Sequence, residues 1–492
     1  MKQASISDSL LSEKVAKGGF WLLSVRAMDS VIGLLKLFIL ARLLAPNDFG
    51  LLGIAFLIIS TLDTFSQTGL STALIQMKDD IKKYLDTVWA VSIIKGFVLY
   101  GILFISAPYA AVFFKSPDST VIIRVVGISI LIRSFTNSGI VYFQKELELS
   151  KHFLYRLSST IVNFSVTVFA AIILRSVWAL VYGQLADCIT GVVASYLLHR
   201  YRPRFKLDLD KVKKLLGFGK WVFGSSILVF LFTQGDDFFV GKLLGVTALG
   251  FYQMAYRVSS MPTTEITNVI SSVTYSAYSK IQDNLPRLRK AYLKTLKLTA
   301  FLSFPIVGLI ISLAPDLTVV VLGEKWMPMV PSMQVLAIYG LITSVAATAG
   351  PVFYSIGKPG IDTKNQLLQV ILLVALIYPL TSKWGLLGTS LAVVITSLTV
   401  NIIVLFRLLK ITQCKLWNVV RLLLFPGISV FIAFYSMIII KENYFFSKGI
   451  VELVLSIIYG VSVYLSICYL FDKLFRYQII STVKDSLVSL FK

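Results

Sequence analysis

Apolar stretches long enough to cross a lipid bilayer recur along almost the whole chain, with little room between them. A spanning helix needs roughly 20 mostly apolar residues. Such segments are read at 18–41, 47–70, 85–107, 119–140, 152–174, 177–199, 214–239, 247–276, 295–314, 331–356, 362–381, 385–408, 417–440 and 450–471. Fourteen of them consume most of the 492 residues, so no large water-soluble domain fits. Composition agrees: 15% of residues are charged and 56% hydrophobic, against about 25% charged in an average soluble domain. Soluble enzymes and disordered scaffolds are excluded. The expected class is an all-α polytopic membrane protein.

The net charge of +22, from 47 Lys+Arg against 25 Asp+Glu, would suggest nucleic acid in a soluble protein. Here it reads as orientation, because basic residues collect in cytoplasmic loops. With a cytoplasmic N-terminus, the outer loops hold Arg42, Lys115, Arg175, Lys242, Lys325, Lys383, Lys441 and Lys448, and roughly four times as many basic residues fall inside. A helix miscounted in mid-chain would erase that asymmetry. Both termini are therefore placed in the cytoplasm, and nucleic acid is not an expected partner. The richest inner loops run from Arg200 to Lys214 and from Lys280 to Lys297. They mark topology and add attraction to the anionic head groups of the phospholipid bilayer.

An internal repeat appears at an offset of 200 residues. Ala41-Arg42-Leu43-Leu44-Ala45, followed by Phe49-Gly50, matches Gly241-Lys242-Leu243-Leu244-Gly245, followed by Leu249-Gly250. Gly19 and Trp21 match Gly219 and Trp221, and Ala55 and Ser60 match Ala255 and Ser260. Helices 1–2 thus correspond to helices 7–8, an even step that gives parallel repeats about an axis along the membrane normal. The expected organisation is an amphipathic cytoplasmic N-terminus at 1–17, an N-lobe of six helices at 18–199 and a basic linker at 200–213. A C-lobe of six helices follows at 214–409, then two further helices at 410–471 and a cytoplasmic tail at 472–492. Two pseudo-symmetric six-helix lobes leave a midplane cleft between them, where transporters of this architecture hold substrate.

Catalytic chemistry finds no foothold. The three cysteines, Cys188, Cys414 and Cys468, are odd in number and widely spaced, so no disulfide framework is expected. Only His152 and His199 could serve a histidine metal site or a Ser–His pair, and each sits among basic residues at a helix end. No Gly-rich loop with lysine is present to hold nucleotide phosphates. Neither a metal nor a cofactor is expected, and the protein is read as no enzyme.

Ionisable groups inside spans are costly and mark function by default. They concentrate on the repeat-related helices: Arg26, Asp29 and Lys36 on helix 1, Asp63 on helix 2, Lys220, Asp236 and Asp237 on helix 7, and Arg257 and Glu265 on helix 8. Helices 3 to 6 add Lys95, Arg124, Arg133 and Asp187. Gln67, Gln234, Gln253, Thr263, Thr264 and Asn268 reinforce a wet cavity. Arg26 and Asp29 are three apart and share a helix face. They form either a self-satisfying ion pair or an anion-binding arginine held by its aspartate. Arg257 either binds an anion or snorkels to the interface. Lys36 is the third candidate cation, and Gln234 and Gln253 suit a sugar. Asp236 and Asp237 point about 100° apart near the outer end of helix 7, where solvation is cheap. With Asp29, Asp63 and Glu265 they are the candidates for gating or for coupling to H⁺ or Na⁺. Pro262 is expected to kink helix 8.

Several motifs together carry a family resemblance. Arg42-Leu43-Leu44-Ala45-Pro46-Asn47-Asp48-Phe49-Gly50 and Gln67-Thr68-Gly69-Leu70-Ser71-Thr72-Ala73-Leu74-Ile75-Gln76 resemble the polysaccharide exporters of the multidrug/oligosaccharidyl-lipid/polysaccharide superfamily. Leu322-Gly323-Glu324-Lys325-Trp326, ending in Val330-Pro331, resembles their loop between helices 9 and 10. The similarity covers essentially the whole chain and is nearest to the flippases of colanic acid, O-antigen and teichuronic acid pathways. It implies a V-shaped transporter of a bacterial cytoplasmic membrane that flips undecaprenyl-pyrophosphate-linked oligosaccharide, with a polysaccharide polymerase and chain-length machinery as partners. In the related lipid II flippases, arginines on helices 1, 2 and 8 serve the substrate. Arg26 and Arg257 match two of these by helix position, whereas helix 2 here carries Asp63 and no arginine. Helices 13 and 14 form a lipid-tail groove in those relatives. A cation-coupled multidrug antiporter of the same superfamily is the second reading, and a membrane polymerase or ligase the third.

Overall fold

The computed structural model describes residues 2–66, 73–75, 77, 80–358, 360–444 and 449–475, and side chains except those of 1–20, 22–23, 214–225, 268–269, 272–273, 276 and 442–444. Gln67 and the side chains of Lys220 and Asn268 lie outside this part. The described residues are helical with no strand. The main helices are α1 (Lys2–Leu43), α2 (Pro46–Phe65), α3 (Lys82–Phe113), α4 (Ser119–Ser134), α5 (Leu149–Leu174), α6 (Trp178–Leu198), α7 (Leu209–Leu243), α8 (Val246–Ser279), α9 (Leu285–Leu317) and α10 (Val330–Ala346). Gly360–Thr412 forms two helices broken at Gly385, α11 (360–384) and α12 (386–412). α13 (Leu416–Tyr444) and α14 (Ile450–Phe475) follow.

Nine described helices are long and apolar enough to cross a bilayer, or ten with one bent pair counted as a span. The protein is a multi-pass membrane protein. Among the described residues α1, α7 and α8 do not qualify. These are the helices to which the sequence assigns Arg26, Asp29, Lys36, Asp236, Asp237, Arg257 and Glu265.

The chain packs as two compact units, Met1–Phe230 with Gly245–Gly250, and Leu231–Leu244 with Phe251–Lys492. In the first, α5 lies against α6 and α1 packs on α5. Leu40, Leu44, Ala171, Ala179 and Leu180 form a buried cluster there. The turn from α5 to α6 takes only three residues, because Arg175 adopts a left-handed conformation (φ 47°). Asp48 ties this turn to the start of α2. One carboxylate oxygen accepts the Val177 N–H at 2.9 Å and the other accepts the Ala45 N–H at 2.8 Å.

The two turns matched in sequence touch each other within the same unit. Asn47 and Thr247, 200 residues apart, join by a 3.2 Å side-chain hydrogen bond. A Cβ on Gly50 would overlap the Val246 carbonyl, and a Cβ on Gly250 would overlap the Pro46 carbonyl. Each turn thus needs glycine where the other's backbone passes.

The fourth segment departs from the expected single helix over 119–140. α4 stops at Ser134, and Ser138–Lys145 leaves it at 72°. Asn137 causes the break. Its backbone is extended (ψ 116°) and its side chain accepts the Gly139 N–H at 2.9 Å. Its own N–H goes to Ser195 Oγ at 3.0 Å and its amide to the Tyr201 carbonyl at 2.7 Å. A side chain that substitutes for backbone partners ends a helix that hydropathy alone would continue.

The basic linker is anchored to this unit. Tyr201 donates its hydroxyl to Asp86 at 2.6 Å, and the Arg204 N–H reaches the same oxygen at 2.8 Å. His199 stacks on Tyr142 with centroids 5.6 Å apart, and its Nδ1 accepts the Tyr201 N–H at 3.1 Å. Burial, then the Asp86 hydrogen bond, hold the Tyr201 phenol above its ordinary range. Burial, with Lys151 acting in the same direction, holds the His199 imidazole below its ordinary value against Glu148 and Glu146.

In the second unit, Tyr278, Leu288, Tyr292, Val352, Phe353 and Leu408 form a core. α13 and α14 pack on α9, where Leu313 meets Met437 and Leu453 and Tyr464 donates to the Phe301 carbonyl at 2.9 Å. Lys441 of α13 pairs with Asp316 of α9. Two expectations change here. The outer loop at 315–330 is folded, since Thr318–Leu322 and Glu324–Met329 are short helical turns that bury Trp326 completely. Lys297 is not in a loop but buried on α9, within electrostatic range of Asp472. α8 runs through Pro262 without a break.

Candidate functional site

Two polar sites lie inside the helical units, one in each. In the first unit, Asp29 and Lys36 are seven apart and so share a face of α1, while Arg156, Thr160 and Asn163 line one face of α5. The two faces meet. Asp29 receives Arg156 Nη2 at 3.1 Å on one oxygen and the Thr160 hydroxyl at 2.9 Å on the other. Lys36 donates to Asn163, whose amide donates to the Gly183 carbonyl at 2.9 Å. The aspartate expected to hold Arg26 therefore binds a cation from another helix. Arg26 itself is exposed.

A second pair lies beside the first. Arg133 of α4 meets Asp187 of α6 at 3.2 Å, and its Nε donates to Cys188 Sγ at 3.1 Å. Tyr155, next to Arg156 in sequence, is within electrostatic range of Arg156, Arg133 and Asp187. Asp63 of α2 lies within electrostatic range of Lys95 and Arg133. The unit thus holds Arg26, Lys36, Lys95, Arg133 and Arg156 against Asp29, Asp63 and Asp187, five cations against three carboxylates. Ionisable groups among the helices of a membrane protein are costly, so such a collection suits an anionic ligand that shares the charge.

In the second unit Asp236 and Asp237 are 3% and 9% exposed. The expectation of cheap solvation near a helix end is corrected, because α8 returns directly over α7 and covers them. Tyr252 donates to Asp236 at 2.6 Å, Gln253 donates to Asp237 at 2.8 Å, and the Asp237 N–H reaches Asp236 Oδ1 at 3.0 Å. Tyr256 and Tyr339 extend the network through a 3.4 Å hydroxyl contact. Gln253, expected to face sugar, spends its amide on Asp237. Gln234 and Glu265 are half-buried and Arg257 is exposed on α8. Two adjacent buried carboxyls with no paired cation among the described residues can hold a proton or a small cation.

Sequence reasoning passed over Arg156, Thr160 and Asn163, although their i, i+4, i+7 spacing draws a polar stripe on an otherwise apolar helix. Tyr252, Tyr256 and Tyr339 gave no such signal, because buried tyrosines are ordinary core residues.

Residues 39–331, more than half of the chain, match the family model described as polysaccharide biosynthesis protein. The lipopolysaccharide biosynthesis protein WzxC of Escherichia coli (strain K12) is 26% identical over 403 residues, 81% of this chain and 82% of that protein. The teichuronic acid biosynthesis protein TuaB of Bacillus subtilis (strain 168) is 26% identical over 292 residues, 59% of this chain and 60% of that protein. Among solved structures, a lipid II flippase MurJ in an inward closed conformation superposes with a TM-score of 0.76 at 13% identity, covering 92% of this chain and 99% of that one. An inward-facing MATE family transporter of the MOP superfamily gives 0.62 at 16% identity, covering 80% and 99%. These two likenesses establish the fold.

Proposed function

Because the chain belongs to the polysaccharide biosynthesis protein family, we propose that it is a flippase for undecaprenyl-pyrophosphate-linked oligosaccharide repeat units. It carries them from the cytoplasmic to the outer leaflet of a bacterial cytoplasmic membrane by alternating access. The product serves a surface polysaccharide such as O-antigen or colanic acid. The observation that carries this reading is the cation excess inside the first unit, which suits a lipid head group bearing two phosphates. Arg26 and Lys36 of the first unit meet the phosphates, and Arg257 and Gln234 of the second unit are further candidate substrate-binding residues. Both termini face the cytoplasm, as the basic loops imply. A polymerase and chain-length machinery take the product. The protein transports rather than catalyses.

The buried Asp236–Asp237 pair supports coupling to H⁺ or Na⁺, with Asp29, Asp63 and Glu265 as further gating groups. The same pair is what favours the second reading, a cation-coupled multidrug antiporter.

The test uses a deletion strain and an impermeant reagent that modifies only outer-leaflet glycolipid. Protected undecaprenyl-linked repeat units should accumulate, and the wild-type gene should relieve the block. Accessible single units would place the defect after flipping. No accumulation would turn the assignment toward drug export.

A further inference from the structure

The linker that follows α6 carries large apolar side chains on its outside. Phe205, Leu207 and Leu209 are 63%, 45% and 72% exposed. Residues 199–208 are non-helical, and Pro203 fixes its own φ and disfavours helix at Arg202. In an extended chain alternate residues share a side. Phe205, Leu207 and Leu209 therefore form one edge, and Arg204 and Lys206 lie on the other. The one acidic residue of this run is already engaged. Asp208 accepts the Lys211 N–H at 3.3 Å and pairs with the Lys211 ammonium at 3.0 Å. The segment is an apolar edge backed by cations.

The level at which it is held points to a lipid surface. The Trp89 indole and the Tyr196 hydroxyl both donate to the Phe135 carbonyl, at 3.3 and 3.0 Å. Trp and Tyr near the ends of spanning helices mark the level of the membrane interface. Asp86 lies three residues before Trp89 on α3, about 4.5 Å nearer the start of that helix. There it receives the Tyr201 hydroxyl and the Arg204 N–H. Arg202 lies over the Tyr196 ring, its guanidinium 5.8 Å from the centroid. The linker is thus hooked at head-group level immediately before its apolar edge begins. Lys and Arg stems can reach back to lipid phosphates while apolar neighbours sink below them.

We propose that residues 202–209 are a docking strand for anionic phospholipid. Phe205, Leu207 and Leu209 enter the leaflet, and Arg202, Arg204 and Lys206 sit on the phosphates. The strand binds the membrane itself and does not depend on which substrate the protein carries.

A nitroxide at Leu207→Cys in the full-length protein reads the docking. Cys188, Cys414 and Cys468 are buried, and unsubstituted protein carried through the labelling is the blank. The protein is placed in nanodiscs of phosphatidylcholine alone, or of phosphatidylcholine and phosphatidylglycerol in equal parts. With phosphatidylglycerol, dissolved oxygen should reach the label more readily than a water-soluble nickel complex does. Each basic residue near an anionic surface is worth about fivefold. Arg202→Gln, Arg204→Gln and Lys206→Gln together should therefore lower the ratio of docked to free label at least about tenfold. High salt should lower it in the same direction on the chain that keeps all three cations, so the answer does not hang on the triple variant's folding. Phe205→Ser with Leu209→Ser should leave the label in water in both lipids. A label equally open to water in both nanodiscs overturns the proposal. So does a docked label that ignores both salt and the loss of the three cations. A label shielded alike in both lipids and in detergent marks a protein contact and overturns it as well. Nanodiscs offer the same lipid on both faces, so failure here leaves the orientation and the flippase reading standing.

Discussion

Asp29 shows how far one residue can be read before folding is known. Its spacing from Arg26 is correct for a shared helix face, yet in the structure it pairs with Arg156 of α5. Spacing within a helix is legible in sequence. Which neighbouring helix supplies the partner depends on rotation about the axis, which spacing along a single helix does not encode. The same holds for Asp236, whose burial comes from α8 folding over it. Arg26→Ala and Arg257→Ala are expected to insert at normal levels and to lower surface glycan at least about tenfold, a loss of one charged contact. Normal glycan from both, at wild-type protein level, would remove them from the substrate path. Asp48 is a different kind of residue. It satisfies two backbone N–H groups at once, so Asp48→Ala should cost about 2 kcal/mol, one cap plus one orphaned donor. Unfolding of the purified protein in detergent measures this, and an unchanged midpoint would contradict it.

Most helices are visible as apolar runs, and their ends follow from Pro, Gly and charge. The break at Asn137 is not, because it arises from a side chain satisfied by Ser195 and Tyr201, far away in sequence. Gly385 was readable as a boundary, and the structure shows why. Its φ of 56° with ψ of −133° lies where side-chain-bearing residues are strained, so Gly385→Ala should destabilise the α11–α12 hairpin by about 1–3 kcal/mol. Detergent unfolding would show the shift, whereas Ser382→Ala nearby serves as the neutral comparison. The linker at 199–204 should respond to acid. Free histidine titrates near 6.5, and here the imidazole is held lower and accepts a proton-bearing backbone N–H. The unfolded segment therefore binds more protons than the folded one, and its docking weakens as pH falls below about 6.5. Hydrogen exchange at the Tyr201 amide, corrected for its intrinsic rate, should lose protection between about pH 7 and pH 5. Constant protection would show that His199 does not hold the linker.

At the scale of the whole chain, charge placement predicts the orientation, since it acts through many residues at once and survives errors in any one boundary. Asp118→Cys should react with an impermeant thiol reagent from outside intact cells, and Lys206→Cys only after the membrane is opened. The reverse pattern would invert the topology. What lay beyond the sequence was the use of its own repeat. Pro46–Gly50 and Val246–Gly250 touch reciprocally, as a surface does when it meets a copy of itself, and each glycine makes room for the other turn's carbonyl. A side chain at position 50 is excluded by the backbone at 246, and one at 250 by the backbone at 46, so neither position can be filled unless the opposite turn moves away and the lock between the two turns opens.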